Sequence, residues 1–258
     1  MSAIWGIVDL CSGQTEEQQK NRAGSLREEA LRMRLAYGTS CLDRIQEKTE
    51  EEYYLACGVQ NVTREAKEEA FPYEKNGEGG SLFVADVILD NRRELAQRFV
   101  SRRDLCSHPD GEILYESFCR QPEETLTVAR GAYACAYLEP ERRTLTLFND
   151  AVGNRSVYYF REENRVWFST LLAGITCLRE NWKENTGWFD RFYTIRDLRA
   201  VSEPRETPYG GILRLAPGEI AVFTTEGVRR RDYWDPFAAR KLLRGKTEAE
   251  YRDLVRTV

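Results

Sequence analysis

Histidine is almost absent from this chain, which has one, His108, among its 258 residues. A single imidazole excludes a metal site built from several histidines and leaves one candidate for an imidazole base. His108 lies in the stretch SHPDGE, whose turn-forming residues favour a solvated loop position over a catalytic one. The sequence therefore predicts no metal site.

Long apolar runs and basic stretches are also missing. The longest apolar runs, such as residues 81–89 and 131–138, fall well short of the ~20 residues that a membrane helix needs. The N-terminus has no cationic segment followed by an apolar one, so it does not read as a secretory signal. The formal net charge is -4, and no segment is basic enough for a nucleic-acid footprint. We expect neither a membrane nor a nucleic acid as a partner.

Cysteine is present, but not in a pattern that indicates disulfides or metal binding. The seven cysteines are odd in number, scattered, and never in C-x-x-C spacing. Most lie in apolar surroundings, which favours buried thiols over disulfides and predicts a reducing, cytoplasmic compartment.

The order of the segments predicts an α+β protein. The opening MSAIWGIVDL alternates like a β-strand, and residues 15–37 have helical spacing, with an interruption expected near Gly24. The segments GAYACAYLE, RTLTLFND, SVYYFRE and RVWFST are short, alternating and joined by turns, which is typical of antiparallel hairpins.

The last segment, KTEAEYRDLVRTV, predicts a charged amphipathic helix. Thr247 and Glu250 have the spacing of a capping box at its start. Two interpretations remain open: the helix docks back on the domain, or it begins a second domain. We favour the second and divide the chain into a domain over 1–240 and a linker plus helix start over 241–258.

Six segments occur in a recognisable order between residue 1 and about residue 240. They are MSAIWGIV, DVILDNRREL, PDGEIL, RGAYACAYLEPERRTLTLFNDAVGNRSVYYF, VWFSTLLAGI and GGILRLAPGEIAVFTTEGVRRRDYWDP. In this order they resemble the strand, turn and final-segment motifs of the N-terminal glutamine amidotransferase domain of the asparagine synthetase family.

The resemblance implies the N-terminal-nucleophile hydrolase fold, a four-layer αββα sandwich of two antiparallel sheets. In that fold the residue after the initiator methionine is the nucleophile, and its freed α-amine acts as its own base. The family has cysteine there, whereas this chain has Ser2. A hydroxyl beside an amine can still act as a nucleophile, so the other site positions decide between an active and an inactive site.

Most of those positions depart from the family's residue types. The arginine that clamps the carboxylate of glutamine aligns with Val59, which has no side-chain donor. The asparagine and glycine of the oxyanion hole align with Asp86 and Val87, and an ionised aspartate cannot donate a hydrogen bond. Asp110 keeps the carboxylate that the resemblance assigns to the α-ammonium group of the substrate.

These departures predict an inactive glutaminase with a structural role in an asparagine-synthetase-like, ATP-dependent amide-forming enzyme. The expected partners are a C-terminal synthetase domain of the same protein, glutamine or another amino compound, and a second copy in a homodimer. The S-G-G-x-D-S motif of the synthetase domain is absent, so ATP and Mg²⁺ are expected only outside this chain.

Two alternatives remain. The first is a Ser2-dependent amidohydrolase that acts on glutamine or another amide. The second is a free-standing binding module that holds an amino compound through Asp110.

Overall fold

The computed structural model describes residues 2–11, 16–38, 42–75, 80–99, 108–194, 203–235 and 247–256. Within these ranges the chain forms twelve strands. They are β1 Ala3–Asp9, β2 Arg44–Thr49, β3 Tyr53–Val59, β4 Tyr73–Lys75, β5 Ser81–Leu89, β6 Gly131–Glu139, β7 Thr144–Asn149, β8 Tyr158–Glu162, β9 Arg165–Ser169, β10 Leu213–Arg214, β11 Glu219–Thr224 and β12 Gly227–Asp232.

Eight helices lie in the same ranges. They are α1 Glu16–Ala36, α2 Arg64–Lys67, α3 Arg92–Phe99, α4 Asp110–Arg120, α5 Pro122–Val128, α6 Ala173–Thr176, α7 Thr186–Thr194 and α8 Glu248–Arg256.

The strands form two antiparallel sheets of six strands each. The order is β10-β8-β9-β1-β3-β2 in the first sheet and β12-β11-β7-β6-β5-β4 in the second. Helices α1 and α6 pack on the outside of the first sheet, and α4 packs on the outside of the second, with α3 and α5 against it. The predicted four-layer αββα sandwich is confirmed.

Strand β1 lies inside the first sheet, paired with β3 on one side and β9 on the other. All seven of its residues are buried. Because strand side chains alternate between faces, Trp5 and Ile7 join the core under α1, whereas Ile4 and Val8 join the core between the two sheets. The N-terminal strand is therefore anchored by packing on both faces.

Helix α1 runs without a break from Glu16 to Ala36, so the expected interruption near Gly24 is wrong. Gly24 is exposed, and a Cβ placed on it would contact nothing. A mid-helix glycine costs only about 1 kcal/mol relative to alanine. Leu26 and Met33, both fully buried against the first sheet, offset that cost by hydrophobic burial.

The hairpin expected between β6 and β7 is confirmed. Tyr137 pairs with Thr146 and Cys135 pairs with Phe148, in antiparallel register. The connecting EPERR turn contains Arg143 at φ 49, a left-handed conformation that closes the hairpin.

Helix α8 begins with the predicted capping box. The Thr247 N–H donates to Glu250 Oε2 at 2.7 Å, and the Glu250 N–H donates back to Thr247 Oγ1 at 3.4 Å. The predicted linker begins at residue 241, and residues 236–246 lie outside the described part of the chain. In the described part, no helix has the length and apolar character needed to cross a membrane.

Candidate active site

Ser2 lies at the end of β1, next to the layer between the sheets. Ala3 pairs with Gly58, which places Ser2 beside Val59 at the end of β3. Ser2 is half-buried, and its Oγ accepts a hydrogen bond from the Gln60 backbone N–H at 3.1 Å. The hydroxyl therefore already contributes to holding the ends of β1 and β3 together.

Val59 faces the same inter-sheet layer. Leu55, Cys57 and Val59 alternate along β3 and all belong to the inter-sheet core, whereas Tyr54 and Ala56 belong to the core under α1. Val59 is 1% exposed and offers only methyl groups to this layer. Val59 itself therefore offers no side-chain donor to a carboxylate.

Asp86 and Val87 project to opposite faces of β5. The Phe83 ring stacks on Tyr115 of α4, so odd-numbered side chains of this strand face the helices. Asp86 therefore faces the first sheet, in the same layer as Val59, whereas the side chain of Val87 faces the helix layer. The structure brings Asp86, Ser2 and Val59 to one layer and separates the side chain of Val87 from them.

Asp86 is a buried carboxylate with an arginine partner. Arg155 Nε lies 3.0 Å from Asp86 Oδ2, and the side chains of Asp86 and Arg155 are only 4% and 16% exposed. Burial raises the pKa of Asp86 to about 6, and the positive charge of Arg155 opposes that rise. At neutral pH the position thus carries an ion pair instead of an amide donor.

Arg155 is held in place by the loop between β7 and β8. The Asp150 carboxylate accepts hydrogen bonds from the backbone N–H groups of Arg155 at 3.0 Å, Asn154 at 2.9 Å, Val152 at 3.3 Å and Tyr133 at 3.3 Å. These bonds fix the backbone of the loop and tie it to β6. Asp150 therefore positions the arginine that reaches Asp86.

Asp110 is the first residue of α4, and both of its oxygens have donors within the chain. Arg92 Nε donates to Oδ1 at 2.9 Å, and the Leu89 backbone N–H donates to Oδ2 at 3.0 Å. Burial raises the pKa of Asp110, whereas the Leu89 N–H and Arg92 lower it. Arg92 also contacts Glu65 at 2.8 Å and the carbonyl of His108. The carboxylate thus connects α4 to β5 and α3.

Glu69 is a second buried carboxyl at the start of α4. Its Oε1 accepts the Gly111 N–H at 2.8 Å, and its Oε2 accepts the Tyr73 hydroxyl at 2.7 Å. Burial raises the pKa of Glu69 to about 7; Tyr73 and Gly111 lower it, and the charge of Asp110 raises it further. A Cβ on Gly111 would lie 2.5 Å from Glu69 Oε2, so this close approach requires glycine.

The comparisons with known proteins point to one domain type. Residues 60–176 match the family model of the glutamine amidotransferase domain. The matched residues, slightly under half of the chain, thus resemble a glutamine amidotransferase domain. The match includes Asp86, Val87, Asp110 and Arg155 and begins after Val59.

Solved structures support the fold described above. The glutamine phosphoribosylpyrophosphate amidotransferase from B. subtilis, complexed with ADP and GMP, has 14% identity and a TM-score of 0.53. The match covers 90% of this chain and 49% of that one. A structure of the allosteric regulatory enzyme of purine biosynthesis gives the same values. This level of similarity shows the fold, and the chain spans about half the length of these structures.

A third solved structure is less similar. The glutamine aminotransferase class-II domain protein from Silicibacter pomeroyi has 16% identity and a TM-score of 0.34, with coverage of 69% of this chain and 74% of that one. No curated protein matches the sequence.

Two cavities of the described chain lie apart from Ser2, Val59 and Asp86. One, of about 450 Å³, lies between α1 and the β8–β9 hairpin; the other, of about 240 Å³, lies between α7 and residues 203–208. Beside the first, Arg165 bonds to Asp9 at 3.1 Å, and Trp167 Nε1 donates to Glu29 at 2.8 Å. These polar groups beside the cavity have partners within the chain.

Sequence reasoning missed three residues of this domain: Arg155, Asp150 and Glu69. The stretch NDAVGNR indicates a turn capped by Asp150, but it does not show that Arg155 pairs with Asp86 on another strand. Glu69 lies in a run of charges that favours solvent exposure. The sequence predicts a solvated position for His108, and the structure corrects this: the residue is half-buried, with Nδ1 2.7 Å from Glu112 Oε2.

No group of three or more His, Cys, Asp or Glu side chains in the described ranges is placed to hold a metal ion.

Proposed function

We propose that this glutamine amidotransferase domain does not hydrolyse glutamine and serves as a structural, pseudo-glutaminase part of an asparagine-synthetase-like, ATP-dependent amide-forming enzyme. The observation that carries the proposal is the buried Asp86–Arg155 ion pair at the position where the resemblance requires an oxyanion donor. An ionised carboxylate accepts hydrogen bonds and repels a developing oxyanion.

The sizes of the effects support an inactive site. Loss of one oxyanion donor lowers the rate of comparable hydrolases by about 10²–10³. Val59 also removes a charge-assisted clamp worth roughly 1.5–3 kcal/mol. Serine is in addition a weaker nucleophile than the cysteine of the family. Three such losses at one site are difficult to reconcile with turnover.

The partner in this proposal is a C-terminal synthetase domain of the same protein, which would bind ATP and Mg²⁺. The solved structures that share the fold are about twice as long as the matched region, which is compatible with a further domain. A homodimer, and glutamine or another amino compound as a ligand, are further proposals. The five cysteines in the described ranges form no disulfide bond, which supports a reducing, cytoplasmic compartment.

One observation favours a second candidate, a Ser2-dependent amidohydrolase. Arg155 brings guanidinium N–H groups into the layer that Ser2 adjoins, and such donors can stabilise an oxyanion. This mechanism needs the α-amine of Ser2 as the base, so it requires removal of the initiator methionine. Intact mass of the purified protein tests it, because retained methionine eliminates the candidate.

The main test measures ammonia release from glutamine, with a buffer blank and a working glutaminase as references. We expect no release above the blank from the wild-type protein or from Ser2→Cys, because Val59 and Asp86 are unchanged in both. Clear turnover by the wild type would contradict the proposal. Turnover by Ser2→Cys alone would show that the clamp and oxyanion positions are assigned incorrectly.

A further inference from the structure

The Asp86–Arg155 pair joins a strand of the second sheet to the loop that follows β7. Asp86 is in the middle of β5, paired in register with Ala134 of β6. Arg155 comes from the β7–β8 loop, which Asp150 fixes through backbone N–H groups. Both side chains are thus brought together by rigid backbone, and neither can leave the pair without leaving a buried charge behind.

The pair is also close to a fully buried thiol. Cys57 Sγ donates to the Ala85 carbonyl at 3.4 Å, which joins β3 to β5 one residue before Asp86. Burial raises the pKa of Cys57 strongly, and the charge of Asp86 raises it further. Val59 is two residues along β3 from Cys57, a distance of roughly 7 Å along the strand. Ser2 lies beside Val59, so the pair and Ser2 border the same end of the inter-sheet layer.

We propose that Asp86 and Arg155 act as a plug: the ion pair fills the inter-sheet space beside Ser2 and excludes an amide substrate from it. This inference rests on the proposed function and names the residues that enforce it. The carboxylate and guanidinium occupy the volume that a substrate would need and satisfy each other's charge. Asp150 is the positioning residue for the plug, since it holds the loop that carries Arg155.

The first experiment is a double-mutant cycle with Asp86→Asn, Arg155→Met and the double variant, read as melting temperature. Each single variant leaves one buried charge unpaired, so we expect each to melt roughly 10 °C below the wild type. The double variant removes both charges at similar volume and should melt above either single variant. Additive losses in the double variant would overturn the plug.

The second experiment follows Cys57 alkylation under native conditions by peptide mass spectrometry. Arg155→Ala should raise the labelling rate at Cys57 at least tenfold, because it removes the side chain that pairs with Asp86, the carboxylate next to the Ala85 carbonyl that Cys57 contacts. Arg155→Met, which keeps most of the side-chain volume, should raise it much less. If Arg155→Ala does not fold, Asp150→Asn, which loosens the loop, should raise the rate above that of the wild type. An unchanged rate in these variants would contradict the proposal.

The control is Ile175→Ala. Ile175 is fully buried, but it lies in the core under α1, on the other side of the first sheet from Cys57. We expect Ile175→Ala to lose about as much melting temperature as the Arg155 variants but to leave the Cys57 labelling rate unchanged. This result would separate local opening from general destabilisation. The ammonia assay stays independent: glutamine hydrolysis by the wild type would contradict the proposed function, whereas a failed cycle with no hydrolysis contradicts only the plug.

Discussion

Two buried aspartates of this domain each pair with an arginine, but they do so in different structural settings. Asp110 begins a helix, and its oxygens accept from Arg92 and from the Leu89 N–H. Asp86 lies within a strand and faces the other sheet, with Arg155 as the partner that reaches it from a loop. A carboxylate at a helix start is favoured by free N–H groups and the helix dipole, whereas one between two sheets has no such support.

A residue that matches the family's residue type is weak evidence for a substrate-binding site when the same residue also has a structural role. Asp110 is the site position that keeps the family's residue, and its carboxylate holds α4 against β5 and α3. That structural role is present whether or not Asp110 also binds an amino compound. Asp86 does not hold a helix in place in this way. Its charge and its pairing with Arg155 are therefore more informative about whether the site is active than the presence of Asp110.

The largest expected loss of stability comes from Arg92→Met, which removes the arginine partner of Asp110. Asp110, Glu65 and the His108 carbonyl all lose their shared donor, and Asp110 stays buried. Breaking a buried pair costs about 3 kcal/mol, or a melting temperature lower by about 6–12 °C for a domain of this size. Thermal unfolding followed by circular dichroism measures it.

The matched control for Arg92 is its neighbour Arg93, which is exposed on the same helix. Arg93→Met should change the melting temperature by less than about 2 °C, in line with ordinary surface substitutions. Equal losses in the two variants would mean that helix α3, and not the Asp110 pair, is sensitive to charge removal.

A smaller effect is expected from Glu69→Gln, and it depends on pH. The pKa of Glu69 is about 7 in the folded protein against an ordinary 4.5, so the folded state holds the extra proton between these values. Wild-type stability therefore falls as pH rises from about 5 to 8, because deprotonation leaves a buried charge near Asp110 that Arg44 only partly offsets. Glu69→Gln cannot deprotonate, so its stability should not fall in this way as pH rises.

Denaturant unfolding at pH 5 and pH 8 measures the difference. Relative to the wild type, Glu69→Gln should gain roughly 1–3 kcal/mol at pH 8 and little at pH 5. Some pH dependence should remain, since the pKa of Asp86 is raised in the same direction. Glu68→Gln, at the exposed neighbouring position, should show no pH-dependent gain; a similar gain there would assign the effect to net charge.

The sequence predicted the parts of the fold that depend on local pattern. Alternation placed β1, and turn chemistry placed the β6–β7 hairpin. The prediction failed at Gly24, because packing of α1 on the sheet outweighs local glycine propensity. It identified Asp86 as a changed position but not its partner, since Arg155 approaches from a distant loop. The burial of Glu69 could not be predicted either, because a run of charged residues does not indicate which of its side chains is buried.

The smallest expected effect is that of Ser2→Ala, and it tests which group closes the end of β1. Ser2 Oγ accepts the Gln60 N–H at 3.1 Å in a half-buried position. Its loss should cost about 0.5–1 kcal/mol, since water can replace the acceptor, and Ser2→Thr should recover most of that cost. If Asp86 and Arg155 seal the layer, Cys57 labelling in Ser2→Ala should equal the wild-type rate. Labelling as fast as in Arg155→Ala would instead make Ser2 the residue that closes the site. Asp86 would then have only a structural role, as Asp110 has.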